Sequence, residues 1–190
     1  MILASQSPRR RQILEEAGFE FRTLPSSFDE SRVEERDPRR LVLHLAAGKA
    51  SNVCDQAEAG EIVIGSDTVV VLDGAVLGKP QDAEDARNML ERLSGRTHKV
   101  LTAVSLWRDG HEAASFVETT AVSFWPLSAE EIAAYVATGE PLDKAGAYGI
   151  QGRGRLFVKG VEGDFYNVVG LPVSAVYQAL ARISTDRKRR

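Results

Sequence analysis

Ile62-Val-Ile-Gly-Ser-Asp-Thr-Val-Val-Val-Leu72, followed at once by Asp73-Gly74, is the stretch on which the fold turns. It is dominated by β-branched residues, which favour strands. An apolar run of this length, bounded by turn residues, reads as a strand buried on both faces. Asp73-Gly74 is a hairpin signal, because a tight two-residue turn needs positive φ at both positions. Inside the run, Gly65-Ser66-Asp67-Thr68 breaks the apolar pattern. An ionised carboxylate in a buried strand is costly unless it is paired or binds a metal. Gly65 permits a close backbone approach or a bulge there. Asp67 is therefore a functional carboxylate, or a structural hydrogen-bond acceptor, or a sign that the strand dips into solvent there.

Outward from this strand, helices and strands mix. Residues 2–4 read as a short strand. Ser7 caps a helix with Pro8 at its first position, one face formed by Ile13, Leu14 and Ala17, and Gly18 ending it. Residues 19–24 look extended. A second helix is expected from Asp37-Pro38 to about residue 59, with Leu41, Val42, Leu45, Ala46 and Val53 as its stripe. Residues 82–93 are amphipathic through Ala86, Met89, Leu90 and Leu93. Two strands, 99–107 and 115–125, are joined across Asp109-Gly110. Ser128 with Glu131 forms a capping box for a helix to about 138. A Gly-rich stretch covers 146–154, strands are expected at 156–161 and 166–169, and a last helix at 173–183. Hairpins interrupt any regular strand–helix alternation, so the expectation is an α/β fold with a mixed sheet rather than a doubly wound parallel one.

The chain has 190 residues, with 24 Lys+Arg against 27 Asp+Glu and a net charge of −3. That length fits a single domain, read here as 1–184, with 185–190 as a frayed basic tail. Its 43% hydrophobic and 27% charged residues are ordinary for a globular protein and exclude a mostly disordered chain. The near-neutral balance argues against a nucleic-acid binder. The one cysteine, Cys54, rules out an internal disulfide and reads as a plain packed or half-exposed thiol. No apolar run approaches the ~18 residues needed to span a bilayer. The opening MILASQSPRRR places apolar residues before charges, the wrong order for a signal peptide, so the expected address is the cytoplasm.

Other residues look chemical. Ser5-Gln6-Ser7-Pro8-Arg9-Arg10 lies between a strand and a helix. A helix start offers free N–H groups, and arginine forks suit phosphate. The alternative is a capped helix with solvated arginines, although cations are disfavoured at a helix start. Lys49 falls on an apolar helical stripe, so it either snorkels or points into a cleft. Lys79 lies between Gly78 and Pro80, and Lys144 opens Lys144-Ala-Gly-Ala-Tyr-Gly-Ile-Gln151-Gly152. Each alone reads as a surface lysine. The Gly-rich segment lacks the Gly-Lys-[Ser/Thr] end of a phosphate loop and the dinucleotide fingerprint, but its Gln151 can read a base edge. His44, His98 and His111 have no spacing for structural zinc. Basic groups, hydroxyl-rich loops and one costly carboxylate together suit a hydrolase acting on nucleotide phosphates, with the carboxylate holding a divalent ion and water.

Ser5-Gln-Ser-Pro-Arg-Arg, Gly65-Ser-Asp-Thr-Val-Val, Gly78-Lys-Pro, Ser94-Gly-Arg-Thr-His and Asp143-Lys-Ala-Gly-Ala-Tyr-Gly-Ile-Gln-Gly occur in this order. In that order they resemble the Maf family of house-cleaning nucleoside triphosphate pyrophosphatases, from residue 2 to about 180. The resemblance implies an inosine-triphosphatase-like α/β fold, with an elongated sheet flanked by helices and two lobes around a central cleft. It implies a cytoplasmic enzyme, often a homodimer, that needs a divalent cation (Mg or Mn). It assigns Asp67 as general base, Glu30 with Asp67 as the acidic residues near the metal, and Arg9, Thr68 and Gln151 as positions tied to substrate choice. Lys49 and Lys79 match substrate-binding lysines. Ser5, Ser7, Arg10 and Lys144 join the expected substrate-binding set. Arg9-Arg10, Asp67-Thr68 and the intact 143–152 segment resemble the branch acting on dTTP and UTP, rather than the branch acting on 7-methyl-GTP. The family's link to septum formation leaves a second reading, a regulator acting through a bound partner. The expected partners are the nucleotide substrate and no nucleic acid or membrane. The implied reaction cleaves between the α and β phosphates.

Overall fold

The computed structural model describes residues 1–187. Of the basic tail expected at 185–190, residues 188–190 lie outside the described residues, and the preceding ones continue the last helix. The helices are α1 (Pro8–Glu16), α2 (Pro38–Ser51), α3 (Ala83–Leu93), α4 (Ala129–Val136), α5 (Phe165–Val169) and α6 (Val173–Arg187). The strands are β1 (Ile2–Leu3), β2 (Arg22–Thr23), β3 (Ile62–Leu72), β4 (Ala75–Leu77), β5 (Thr97–Arg108), β6 (His111–Phe124) and β7 (Val158–Glu162).

The strands form a seven-stranded sheet in the order β2-β1-β3-β5-β6-β7, with β4 paired to β3. β1 runs parallel to β2 and β3, whereas β3–β4 and β6–β7 are antiparallel, so the sheet is mixed as expected. Both hairpin signals act as read. Asp73 and Gly74 take φ of 51° and 80°, and Asp109 and Gly110 take 51° and 78°, the positive angles that a tight hairpin demands.

The chain divides into two compact units. One comprises Met1–Asp67, Thr102–Glu118 and the described part of Gly170–Arg190; the other comprises Thr68–Leu101 and Thr119–Val169. β3 passes from the first to the second between Asp67 and Thr68. The first unit buries Ile2, Leu3, Leu14, Val42 and Ile64, and the second buries Leu72, Leu90, Leu93, Phe124 and Phe157.

Three elements differ from expectation. α2 stops at Ser51 instead of running to about 59. There the Asn52 side-chain oxygen accepts from the Ser26 hydroxyl and the Ser27 N–H, and Val53 turns into the core beside Ile2, Ala4, Ala50 and Val63. Those contacts with distant residues outweigh helical continuation. Residues 166–169 form a helix, not a strand. Asp164 accepts from the Tyr166 N–H at its start, and fully buried Asn167 donates to the Val100 carbonyl on β5 and the Thr120 hydroxyl on β6. β7 begins at Val158, because Arg153–Phe157 forms a 3₁₀ turn.

Candidate active site

In the first unit the chemistry gathers on β3 and α2. Asp67 is 9% exposed on β3, and its Oδ1 lies 2.6 Å from the Lys49 ammonium. Glu30 Oε1 lies 2.8 Å from the same ammonium. Two glycines make this convergence possible. A Cβ on Gly65 would sit 2.2 Å from the Ala46 carbonyl and 2.7 Å from the Ala50 amide, so only glycine lets α2 lie this close on β3. A Cβ on Gly48 would sit 2.4 Å from the Phe28 ring. Phe28 therefore seats on the bare helix surface and carries the 3₁₀ turn Glu30–Arg32 towards Lys49. Lys49 on the apolar stripe is explained: it is the cation between two carboxylates, and it compensates the charge that β3 would otherwise bury alone.

The 5–10 segment behaves in part as a capped helix. Ser7 is the N-cap of α1, with Pro8 next, and its hydroxyl accepts from the Arg10 N–H at 3.4 Å. Ser5 Oγ accepts from the Ser7 N–H and from Arg10 Nη1. Arg10 is not solvated. It is buried, and its Nε donates to the Gly170 carbonyl at 2.8 Å. Burial pulls its pKa down, partly opposed by the negative charges of Asp67 and Glu30. Arg9 is half-buried. This unit thus brings Arg10 into the field of Asp67 and Glu30.

In the second unit, half-buried Thr68 follows Asp67 on β3. Lys79 is exposed in the loop after β4, and that loop is tied to the Gly-rich segment by the Gly146 N–H donating to the Gly78 carbonyl. Gly146 has φ 69°, and a Cβ there would meet the Val70 side chain at 2.9 Å. The Lys144 ammonium is 3.1 Å from the Glu140 carbonyl and pairs with Asp143. Gln151 is exposed and lines a pocket of about 370 Å³ with Ile150, Arg155, Val158, Val161 and Phe165. Tyr148 belongs to the Gly-rich loop that the sequence marks as ligand-hugging, whereas no sequence signal marks Tyr135 or Glu140. His98 is buried, its Nε2 is 2.8 Å from the Tyr148 hydroxyl, and burial pulls its pKa down to about 4. Half-buried Cys54 donates its thiol to the Ala50 carbonyl, and burial pushes its pKa up.

The family model described as Maf-like protein matches residues 1–183. The chain belongs to the Maf family. Among its Maf relatives, a dTTP/UTP pyrophosphatase of Geobacillus sp. is 51% identical over 183 residues, spanning 96% of this chain and 97% of the relative. A dTTP/UTP pyrophosphatase of Bacillus cytotoxicus is 46% identical over 184 residues, spanning 97% and 95%. Among solved structures, the Staphylococcus aureus Ham1 protein is 12% identical with a TM-score of 0.45, over 65% of this Maf chain and 70% of that one. A HAM1 protein from Coxiella burnetii is 15% identical with a TM-score of 0.45, over 65% and 71%. Among the described residues of the Maf chain, no helix is long and apolar enough to cross a membrane.

Proposed function

We propose that this Maf protein hydrolyses the pyrimidine nucleoside triphosphates dTTP and UTP between the α and β phosphates, giving monophosphate and pyrophosphate. The observation that carries the reading is the Asp67–Lys49–Glu30 convergence: a buried carboxylate on a rigid strand, with its charge compensated and its position fixed. The relatives named dTTP/UTP pyrophosphatase, at 46% and 51% identity, support the substrate class over 7-methyl-GTP and over a purely regulatory role.

Asp67 takes the proton of the water that attacks the α phosphorus. Lys49 holds Asp67 in place for that transfer. Ser5, Ser7, Arg9, Arg10, Lys79 and Lys144 meet the phosphate charge, and arginine and lysine donors stabilise the charge that develops as the bond breaks. Gln151 and Thr68 select the base. A pyrimidine edge presents a carbonyl and an N–H side by side, which one amide can match with a donor and an acceptor.

The donor set fits a hard divalent cation. Glu30 and Asp67 already converge on one positive charge and offer only oxygen, which favours Mg²⁺ or Mn²⁺. Among the described residues no group of three or more His, Cys, Asp or Glu is placed to hold a metal ion by itself, so phosphate and water would complete the shell, as is usual for Mg²⁺. Bound there, such an ion lowers the pKa of a coordinated water and offsets phosphate charge. The reading includes a cytoplasmic address and a homodimer, both of which rest on family membership alone.

The test is a panel of dTTP, UTP, dATP, dGTP and 7-methyl-GTP with Mn²⁺, with products separated by ion exchange. Pyrophosphate from dTTP and UTP is expected. Orthophosphate as the first product overturns the α–β assignment, and a preference for 7-methyl-GTP overturns the pyrimidine one.

A further inference from the structure

The Gly-rich segment is built around one carboxylate. Glu140 opens the 3₁₀ turn Glu140–Asp143 just after α4. Its Oε1 accepts from the Tyr135 hydroxyl at 2.9 Å and faces the Gly154 N–H at 3.4 Å, while its Oε2 accepts from the Arg153 N–H at 2.9 Å. The Tyr135 oxygen in turn accepts from the Gly149 N–H at 3.0 Å. One carboxylate and one phenol thus grip both ends of residues 149–154. The glycines fit this grip. A Cβ on Gly149 would sit 2.7 Å from Lys144 Cε, one on Gly152 2.0 Å from Glu140 Oε1, and one on Gly154 2.9 Å from the Tyr135 oxygen.

The electrostatics agree with the geometry. Burial alone pushes the Glu140 carboxyl pKa up, but the hydrogen bonds from Arg153, Tyr135 and Gly154 and the Lys144 charge outweigh it, so the group is held below its ordinary value. Burial pushes the Tyr135 phenol strongly up, so it stays a neutral donor. Between the gripped ends lies Gln151, whose amide makes no hydrogen bond to other described residues and borders the pocket formed with Ile150, Arg155 and Phe165.

We propose that Glu140, acting with Tyr135, is a positioning residue for base selection: it holds residues 149–154 so that the Gln151 amide is presented in one place and orientation. The proposal rests on the reading of Gln151 as the residue that meets the base. A carboxylate suits the task because it accepts several charge-assisted hydrogen bonds at once. Base discrimination by hydrogen bonds needs such fixed geometry, since a displacement of about 1 Å is enough to lose most of the interaction.

The experiment compares Glu140→Gln, Tyr135→Phe and Gln151→Ala with the wild-type chain, measuring kcat and KM for dTTP and dATP, with thermal melts. Glu140→Gln keeps the volume but turns an acceptor into a donor facing a backbone N–H. It is expected to lower the dTTP:dATP ratio of kcat/KM by roughly 5-fold or more, through KM for dTTP, with kcat kept within about 3-fold, since one mismatched hydrogen bond is worth about that much. Tyr135→Phe is expected to move the ratio the same way, and it decides the question if Glu140→Gln does not fold. A ratio within about 2-fold of wild type in the folded variants overturns the proposal, because a merely structural role lowers the melting temperature without touching base preference. Gln151→Ala separates the two readings. If it leaves the preference intact, Gln151 does not meet the base and the proposal falls with that reading; if it narrows the preference while Glu140→Gln and Tyr135→Phe do not, the reading of Gln151 stands and the positioning role is overturned.

Discussion

The Lys49 ammonium lies 2.6 Å from Asp67 Oδ1, eighteen residues away in sequence, with side chains only 14% and 12% exposed. The pair explains two oddities together, a lysine on an apolar helical stripe and an aspartate in an apolar strand. Neither charge is left uncompensated, and Glu30 at 2.8 Å supplies a second carboxylate to the same cation. Breaking one partner therefore has consequences for both catalysis and folding.

Asp67→Asn is expected to lower kcat by at least ~10², the lower range for a lost general base. Relief of a buried charge alone would stabilise the fold, but the structure shows that charge already paired. The variant leaves Lys49 with Glu30 only, so a loss of about 1–2 kcal/mol is expected in denaturant unfolding. A variant keeping more than about a third of wild-type kcat would identify another residue as the base.

Chelation tests the oxygen donor set. Activity should vanish in EDTA and return with Mg²⁺ or Mn²⁺, since Glu30 and Asp67 offer only hard ligands. Steady-state rates after exhaustive dialysis check it, and undiminished turnover without metal would refute a metal-dependent reaction.

Gly65→Ala places a Cβ 2.2 Å from the Ala46 carbonyl, which is backbone and cannot swing away. α2 must shift off β3, separating Lys49 from Asp67. Stability should fall by about 1–3 kcal/mol, typical of overpacking, and activity should fall with it even well below the melting temperature. Wild-type activity in a folded Gly65→Ala variant would show that the Lys49–Asp67 spacing does not matter to turnover.

His98 makes stability depend on pH. Burial holds its folded pKa down at about 4, against about 6.5 when unfolded. Between these values the unfolded chain binds a proton that the folded chain does not. The contribution is thus fully present above pH ~6.5 and is lost as pH falls towards ~4, up to about 3 kcal/mol. Urea unfolding at pH 7 and pH 5 should show a larger drop for wild type than for His98→Gln. Equal drops in the two proteins would mean that His98 already titrates normally when folded.

Much of the fold was legible in the sequence because its causes are local. The bounds of β3, the Asp73-Gly74 and Asp109-Gly110 hairpins, the Ser7 cap and the Ser128–Glu131 capping box all rest on residues within a few positions of one another. The residue types for phosphate chemistry were legible too, since Asp67 stands out in an apolar run whatever lies around it. Tertiary structure alone decided the rest. That α2 stops at Ser51, that 165–169 is helical, that Lys49 meets Asp67 and that Glu140 grips 149–154 all depend on partners far away in the chain. The hydrogen bonds that Asn52 and Glu140 accept and that Asn167 donates, and the close approach that Gly65 allows, outweigh local propensities worth only about 1 kcal/mol per residue, and no local pattern announces where such partners will be.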